Sequence, residues 1–148
     1  MPASDKNTKL VIALVDTSNE EAQAKAGAAL YQYDIEKTGV ADRRPIGAEL
    51  SDSISGEVLG GLWGQTELGL LFLNMFFLPE DIRGQSLGER LLSTIEEEAI
   101  KRGCRRAVVE TSSFQAPDFY KRHGYKEFGQ VEFGLPGHAR VFLRKSLE

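Results

Sequence analysis

The pattern of apolar and polar positions predicts a chain of alternating strands and helices. Its clearest feature is the apolar run over residues 70–78, which is too short to cross a membrane and rich in aromatics, so it predicts a buried strand. The next segment has apolar residues at helical spacing and should end near Gly103. The positions at helical spacing are Leu87, Leu91, Leu92, Ile95 and Ala99.

The N-terminal part of the chain predicts one strand and one helix. Residues 9–15 are apolar and β-branched enough for a first strand. Residues 18–21, Ser-Asn-Glu-Glu, have capping-box spacing, and the helix should continue to about Lys37 and stop at Gly39. Tyr31 and Tyr33 on this helix either line a ligand cleft or pack along the helix with solvated hydroxyl groups.

The rest of the chain predicts a mixed sheet. Residues 46–54 and 57–66 form two strands joined by a turn at Ser55 and Gly56, and Gly60, Gly61 and Gly64 mark a bulge or a close backbone approach. A strand over 105–111, a helix over 115–123 and strands over 125–133 and 139–145 follow. The order β-α-β-β-β-α-β-α-β-β indicates one domain over residues 1–148, with residues 1–8 as a flexible tail.

Composition excludes several classes of function. A net charge of −4 argues against a general nucleic-acid binder. A single cysteine rules out an intramolecular disulfide, and with two histidines no standard zinc site is expected, so we predict no metal. Cys104 lies between a helix end and an apolar strand, so its side chain should be buried and packed in the core. The absence of a membrane-spanning run or a signal-type N-terminus predicts a cytoplasmic protein without a membrane partner.

The segment joining the apolar strand to the long helix is a candidate anion site. A strand, a glycine-containing turn and a helix start together expose unpaired N–H groups and the positive end of a helix dipole. Such a place binds phosphates, although the glycines could serve only a tight turn. A P-loop would need Gly-Lys-Ser/Thr where the chain has Leu87, Gly88 and Glu89, and the three-glycine dinucleotide fingerprint is incomplete.

Three motifs in this element order resemble the GNAT superfamily of acyl-CoA-dependent N-acetyltransferases. Residues 83–88, Arg-Gly-Gln-Ser-Leu-Gly, are similar to the family's Arg/Gln-x-x-Gly-x-Gly/Ala pyrophosphate loop. Residues 116–125 are similar to its Ala-x-x-Phe-Tyr-x-x-x-Gly-Phe/Tyr segment, and residues 60–62, Gly-Gly-Leu, are a weaker match. The resemblance extends over residues 10–143.

Ser86 departs from the family pattern, which usually has glycine there. Serine allows the backbone to approach phosphates closely only if its φ is negative. Alternatively, Ser86 is the helix N-cap in a capping box with Glu89, or its hydroxyl donates to a phosphate oxygen.

The resemblance implies an α/β fold with a mostly antiparallel sheet of about seven strands and three to four helices. It also implies transfer of an acetyl group from acetyl-CoA to a primary amine of a small molecule or peptide, directly in a ternary complex. Backbone groups near Phe76, Phe77 and Leu78 would hold the pantetheine arm. The implied cofactor-binding residues are Phe76, Phe77, Leu78, Arg83, Gly84, Gln85, Ser86, Leu87, Gly88, Phe119 and Tyr120.

The resemblance also suggests catalytic residues. Tyr120 would be the general acid for the leaving thiolate, or else a packed aromatic beside Phe119. Asn74 stands where many relatives have Glu or Asp, and because it takes no proton it would orient a water or the acceptor. Glu49, Glu67 and Glu110 are carboxylates that could reach a central cleft, and the base stays unassigned.

Two further expectations concern partners. The net acidity favours a cationic acceptor, and the exposed closing strands could pair across a homodimer. The alternative function is a non-catalytic acyl-CoA sensor or interaction module on the same fold, which Asn74 and Ser86 would favour.

Overall fold

The computed structural model describes residues 9–148, so the expected flexible tail, residues 1–8, lies outside the described residues. The chain divides into two compact units, of which the first ends at Val40 and the second is Ala41–Glu148.

The first unit contains helix α1, Glu20–Thr38, as the sequence predicted. Its N-cap is Asn19, which accepts the Ala22 N–H at 3.0 Å, rather than Ser18 as the expected capping box implied. Gly39, at φ 74°, donates its N–H to Ile35 O at 2.7 Å. The expected strand over residues 9–15 is wrong: this segment forms neither helix nor strand, and its apolar side chains are exposed. Apolar, β-branched residues form a strand only where a second strand pairs with their backbone.

The second unit is one sheet with two helices packed on it. The sheet has six strands rather than about seven, in the order β1-β2-β3-β4-β6-β5, and all neighbours are antiparallel except β3 and β4. The elements are β1 Arg44–Ser51, β2 Val58–Glu67, β3 Leu70–Phe77, a 3₁₀ turn Glu80–Ile82, α2 Leu87–Lys101, β4 Arg106–Ser112, α3 Pro117–Arg122, β5 Lys126–Glu132 and β6 Ala139–Ser146.

The core lies where α2 packs on the sheet. The helix buries Leu91, Leu92, Ile95 and Ala99, the positions that the helical spacing identified, among fully buried strand residues such as Leu62 and Leu143. Cys104 is buried in the same core, as predicted, and this burial raises the pKa of its thiol. Within the described residues, no helix is both long and apolar enough to cross a bilayer.

The sheet opens between its two parallel strands. β3 and β4 pair only from Leu70 with Arg106 to Leu73 with Val109, whereas β4 continues to pair with β6 as far as Ser112. Residues 74–77 and 110–112 therefore border a gap in the middle of the sheet.

A β-bulge at Asn74 decides which side chains face the two helices. Trp63 pairs with Met75 and Gly64 pairs with Leu73, so Asn74 is the extra residue. The bulge shifts the alternation of β3 by one position, which places Phe76 on the same face as the buried Leu73. A Cβ at Gly64 would lie 2.0 Å from Phe72 O, which confirms the predicted bulge with a close backbone approach.

Candidate active site

The gap between β3 and β4 holds a cavity of about 400 Å³. It is in the size range of small-molecule sites. Six of the catalytic and cofactor-binding residues that the resemblance implied line it, and they come from β3, the following turn and α3. These residues are Asn74, Phe76, Phe77, Leu78, Arg83 and Tyr120.

Other predicted residues lie beside the cavity rather than in its lining. Phe119 stacks on Phe76 with ring centroids 5.0 Å apart. Gly88 makes this possible, because a Cβ there would lie 3.1 Å from atoms of both rings. Gly84, Gln85 and Ser86 form the turn leading into α2, Leu87 is the first residue of that helix, and none of the four lines the cavity.

The side chain of Tyr120, on α3, is held in place by aromatic neighbours. It is 3% exposed and lies edge-on to Phe76, Phe119 and Tyr125, with centroid distances of 6.3, 5.2 and 5.5 Å. Burial raises the pKa of Tyr120, so its hydroxyl is a neutral donor at ordinary pH. Among the described residues this hydroxyl has no hydrogen-bond partner. It is also absent from the buried polar atoms that lack a partner, so the oxygen itself is accessible and opens to the cavity that Tyr120 lines.

The turn before α2 fits an anion. The first backbone bond of the helix runs from the Arg90 N–H to Ser86 O at 3.1 Å. The N–H groups of residues 84–88 precede this ladder, and none of them donates a hydrogen bond within the described part of the chain. The Arg83 Nε donates to Leu78 O at 3.0 Å and so ties the turn to the end of β3. A pyrophosphate could accept from these amides at the positive end of the α2 dipole.

Ser86 has a backbone conformation that the sequence did not predict. Its φ is +60° and ψ is 18°, so the negative φ stated as the condition for a close approach of the serine backbone to phosphate is not met. The capping box is also absent, because the Ser86 side chain makes no cap hydrogen bond. A left-handed conformation costs a residue with a Cβ roughly 1–2 kcal/mol, which explains why the family prefers glycine there.

Ser86→Gly should therefore stabilise the protein. We expect a gain of about 0.5–1 kcal/mol, since relief of the left-handed strain exceeds the added backbone entropy of glycine in the unfolded chain. Chemical denaturation measures the change. Ser93→Gly is the matched control, because Ser93 is exposed within α2 at negative φ and should lose about 0.5 kcal/mol. Equal losses in both variants would contradict the strain at Ser86.

The three candidate carboxylates have different surroundings in the structure. Glu67 pairs with Arg43 at 3.0 Å, and Glu49 accepts the Trp63 Nε1–H at 3.0 Å. Among these three, Glu110 alone lines the cavity. Tyr31 and Tyr33, the candidates on α1, belong to the first unit, where Lys37 Nζ lies 5.4 Å from the centre of the Tyr33 ring.

Sequence reasoning missed part of the cavity lining. Arg140 reaches it from β6, and Phe114 and Gln115 reach it from the segment after β4. Arg140 comes close because β6, although last in the chain, pairs with β4. The strand over 139–145 contains two arginines, Arg140 and Arg144, and only the strand order shows that Arg140 is the one near the gap.

The fold and the cavity together define a class of protein. The sheet opens between two parallel strands, a turn with free backbone N–H groups follows one of them, and a buried tyrosine faces the gap. This is the arrangement of an acyl-CoA-dependent acyltransferase. The family model for the acetyltransferase (GNAT) family matches residues 9–125, and the chain belongs to this family. It is an acyltransferase, and its family uses acetyl-CoA as cosubstrate.

Named relatives agree with the family assignment. Acetyltransferase Atu2258 of Agrobacterium fabrum is 33% identical over 132 residues, covering 89% of this chain and 96% of its own. The blasticidin-S acetyltransferase of Streptomyces morookaense is 34% identical, covering 76% of this chain and 85% of its own. A crystal structure from Agrobacterium tumefaciens superposes with a TM-score of 0.86 at 31% identity, over 93% of this chain and 99% of that protein.

Proposed function

We propose that the protein is an N-acetyltransferase that moves the acetyl group of acetyl-CoA to a primary amine of a small molecule or peptide. The observation that carries this proposal is the cavity between β3 and β4, which the Tyr120 hydroxyl faces. Acetyl-CoA supplies the thioester whose acyl carbon the amine attacks. Transfer would be direct, in a ternary complex; the one cysteine thiol that could carry the acyl group is buried in the core and does not line the cavity.

The chain offers two stretches of backbone to hold the cosubstrate. The free N–H groups of residues 84–88 would bind the pyrophosphate. The backbone of Phe76, Phe77 and Leu78 borders the gap and is not paired with β4, so it would hold the pantetheine arm as an added strand would. One N–H of this segment would polarise the thioester carbonyl.

Tyr120 would act on the leaving sulfur. Burial raises the pKa of Tyr120, so the hydroxyl enters the reaction protonated. The same shift makes it a weaker acid, so it would first stabilise the developing thiolate through a hydrogen bond and give up its proton only when the C–S bond has broken. Asn74, at the bulge, is exposed and lines the cavity, where its amide would orient the acceptor or a water. Glu110 is the carboxylate of the lining and the proposed base.

Three broader predictions belong to this proposal. The chain functions as one acetyltransferase domain over residues 1–148, and it acts in the cytoplasm. One of the two edge strands of the sheet, β5, offers unpaired backbone groups through which two copies could form a homodimer.

Two measurements test the function. Isothermal titration should show acetyl-CoA binding, and a panel of amines should release free thiol with at least one member. Absence of heat up to about 1 mM acetyl-CoA, a free energy near −4 kcal/mol, would reject the site. Binding without thiol release for any amine would instead establish the sensor, and a thermal shift with Mg-ATP but none with CoA would indicate phosphotransfer.

A further inference from the structure

A charged pair lies at the edge of the cavity that faces away from α2 and α3. Arg140 Nε and Glu110 Oε1 are 2.8 Å apart, and both side chains line the cavity. The register pairs Ser112 with Arg140 and Glu110 with Phe142. Strand alternation puts these side chains on the face opposite the buried Val109 and Val141, so the pair and Tyr120 approach the gap from opposite faces.

The arginine keeps donors for a ligand. Its Nε is bonded to Glu110 and its Nη1 donates to Ser112 Oγ at 2.9 Å, which fixes the plane of the guanidinium. Nη2 has no hydrogen bond in the part of the chain that the structure describes. A fixed guanidinium with a free edge is suited to binding a carboxylate through two N–H groups.

Gln115 adds a second oriented donor. Its Oε1 accepts the Ser112 N–H at 2.9 Å and the Thr111 hydroxyl at 3.4 Å, and these bonds identify which end of the amide is oxygen. The Nε2 group therefore points away from them, and Gln115 lines the same cavity as Arg140.

Glu110 provides the opposite charge. Its side chain is 49% exposed and Arg140 is 33% exposed, so the pair is solvated and contributes little by itself. A ligand with both charges can thus rearrange it at low cost, with its anionic group on Arg140 and its amine on Glu110. A cationic acceptor without an anionic group would instead meet Arg140 as a like charge.

We propose that the acceptor is a zwitterion, an amine that also carries a carboxylate, bound by Arg140 and Gln115 through the carboxylate and by Glu110 through the amine. This deepens the proposed function and rests on it. The ammonium gives one proton to Glu110 and its nitrogen forms the bond to the acyl carbon. The C–S bond breaks with its electron pair on sulfur, Tyr120 gives its proton to that sulfur, and the second proton lost by the nitrogen returns through solvent to the Tyr120 oxygen, so the products are the amide, the CoA thiol and protonated Glu110.

The test compares amino acids, including ω-amino acids, with their neutral primary amides, measured by thiol release with acetyl-CoA. The wild-type protein should prefer the acid of at least one pair by about 10–100-fold in kcat/KM, the range for hydrogen bonds to charged groups. Arg140→Gln should remove this preference, mainly through KM. Glu110→Gln should slow both members of a pair.

A matched variant and a binding measurement exclude a merely structural effect. Arg144→Gln changes an exposed arginine on the same strand and face, outside the cavity, and should keep the preference. Calorimetry with the CoA-bound wild-type protein should show the acid binding more tightly than its amide. The Arg140→Gln variant should bind the acid and the amide equally. Three results would overturn the inference while the proposed function stands. They are equal use of acids and amides, turnover restricted to amines without a carboxylate, and a preference for the acid that survives Arg140→Gln. Acetyl-CoA binding without thiol release from any amine would overturn both.

Discussion

Tyr120→Phe should slow the chemical step about 10²-fold or more, the usual scale for a general acid. The substitution removes the hydroxyl that faces the cavity and leaves the ring among Phe76, Phe119 and Tyr125. Acetyl-CoA affinity should therefore change little. Single-turnover thiol release with calorimetry of acetyl-CoA binding separates the two quantities.

The neighbouring tyrosine is the matched control. Tyr125 is buried like Tyr120 but does not line the cavity, and its hydroxyl donates to Glu96 Oε2 at 2.7 Å. Tyr125→Phe should cost about 1–3 kcal/mol of stability, because Glu96 loses a partner, and should leave the chemical step within about threefold. Equal rate losses in the two variants, or none in Tyr120→Phe, would remove Tyr120 from the mechanism.

Local patterns predicted most of the fold. The spacing of Leu91, Leu92, Ile95 and Ala99 identified the buried face of α2, and the glycines of β2 identified the close backbone approach. Both are properties of residues near one another in the chain. The segment over residues 9–15 has an equally apolar pattern and forms no strand, since pairing depends on a partner strand that local sequence does not specify.

The candidate site was only half predictable for the same reason. Arg83 and Tyr120 lie in motifs and Asn74 lies on the apolar strand that the sequence predicted, whereas Arg140 meets Glu110 through the pairing of β6 with β4, across 30 residues of chain. The conformation of Ser86 was hidden in another way. Serine rarely adopts positive φ, so residue preference pointed to a helix cap, whereas the turn leading into α2 holds the residue at positive φ.

Gly64→Ala should destabilise the protein by about 2–4 kcal/mol, at the upper end for overpacking. The new methyl group would lie 2.0 Å from Phe72 O, a backbone atom that cannot rotate away, so β2 and β3 must separate. The melting temperature should fall by about 2–4 °C for each kcal/mol. Gly129→Ala is the control, because a Cβ there has no atom within 4 Å, and its stability should change by no more than about 1 kcal/mol.

The same substitution should reduce activity in molecules that remain folded, because Gly64 faces the bulge that turns Phe76 toward Tyr120. A displacement of about 1 Å at a reacting group can cost about 10²-fold in rate. We therefore expect single-turnover thiol release, measured well below the melting transition and normalised to the folded fraction, to fall at least about tenfold. A destabilised Gly64→Ala protein with an unchanged rate would show that the bulge serves the fold alone, and that Phe76 and Tyr120 keep their geometry without it.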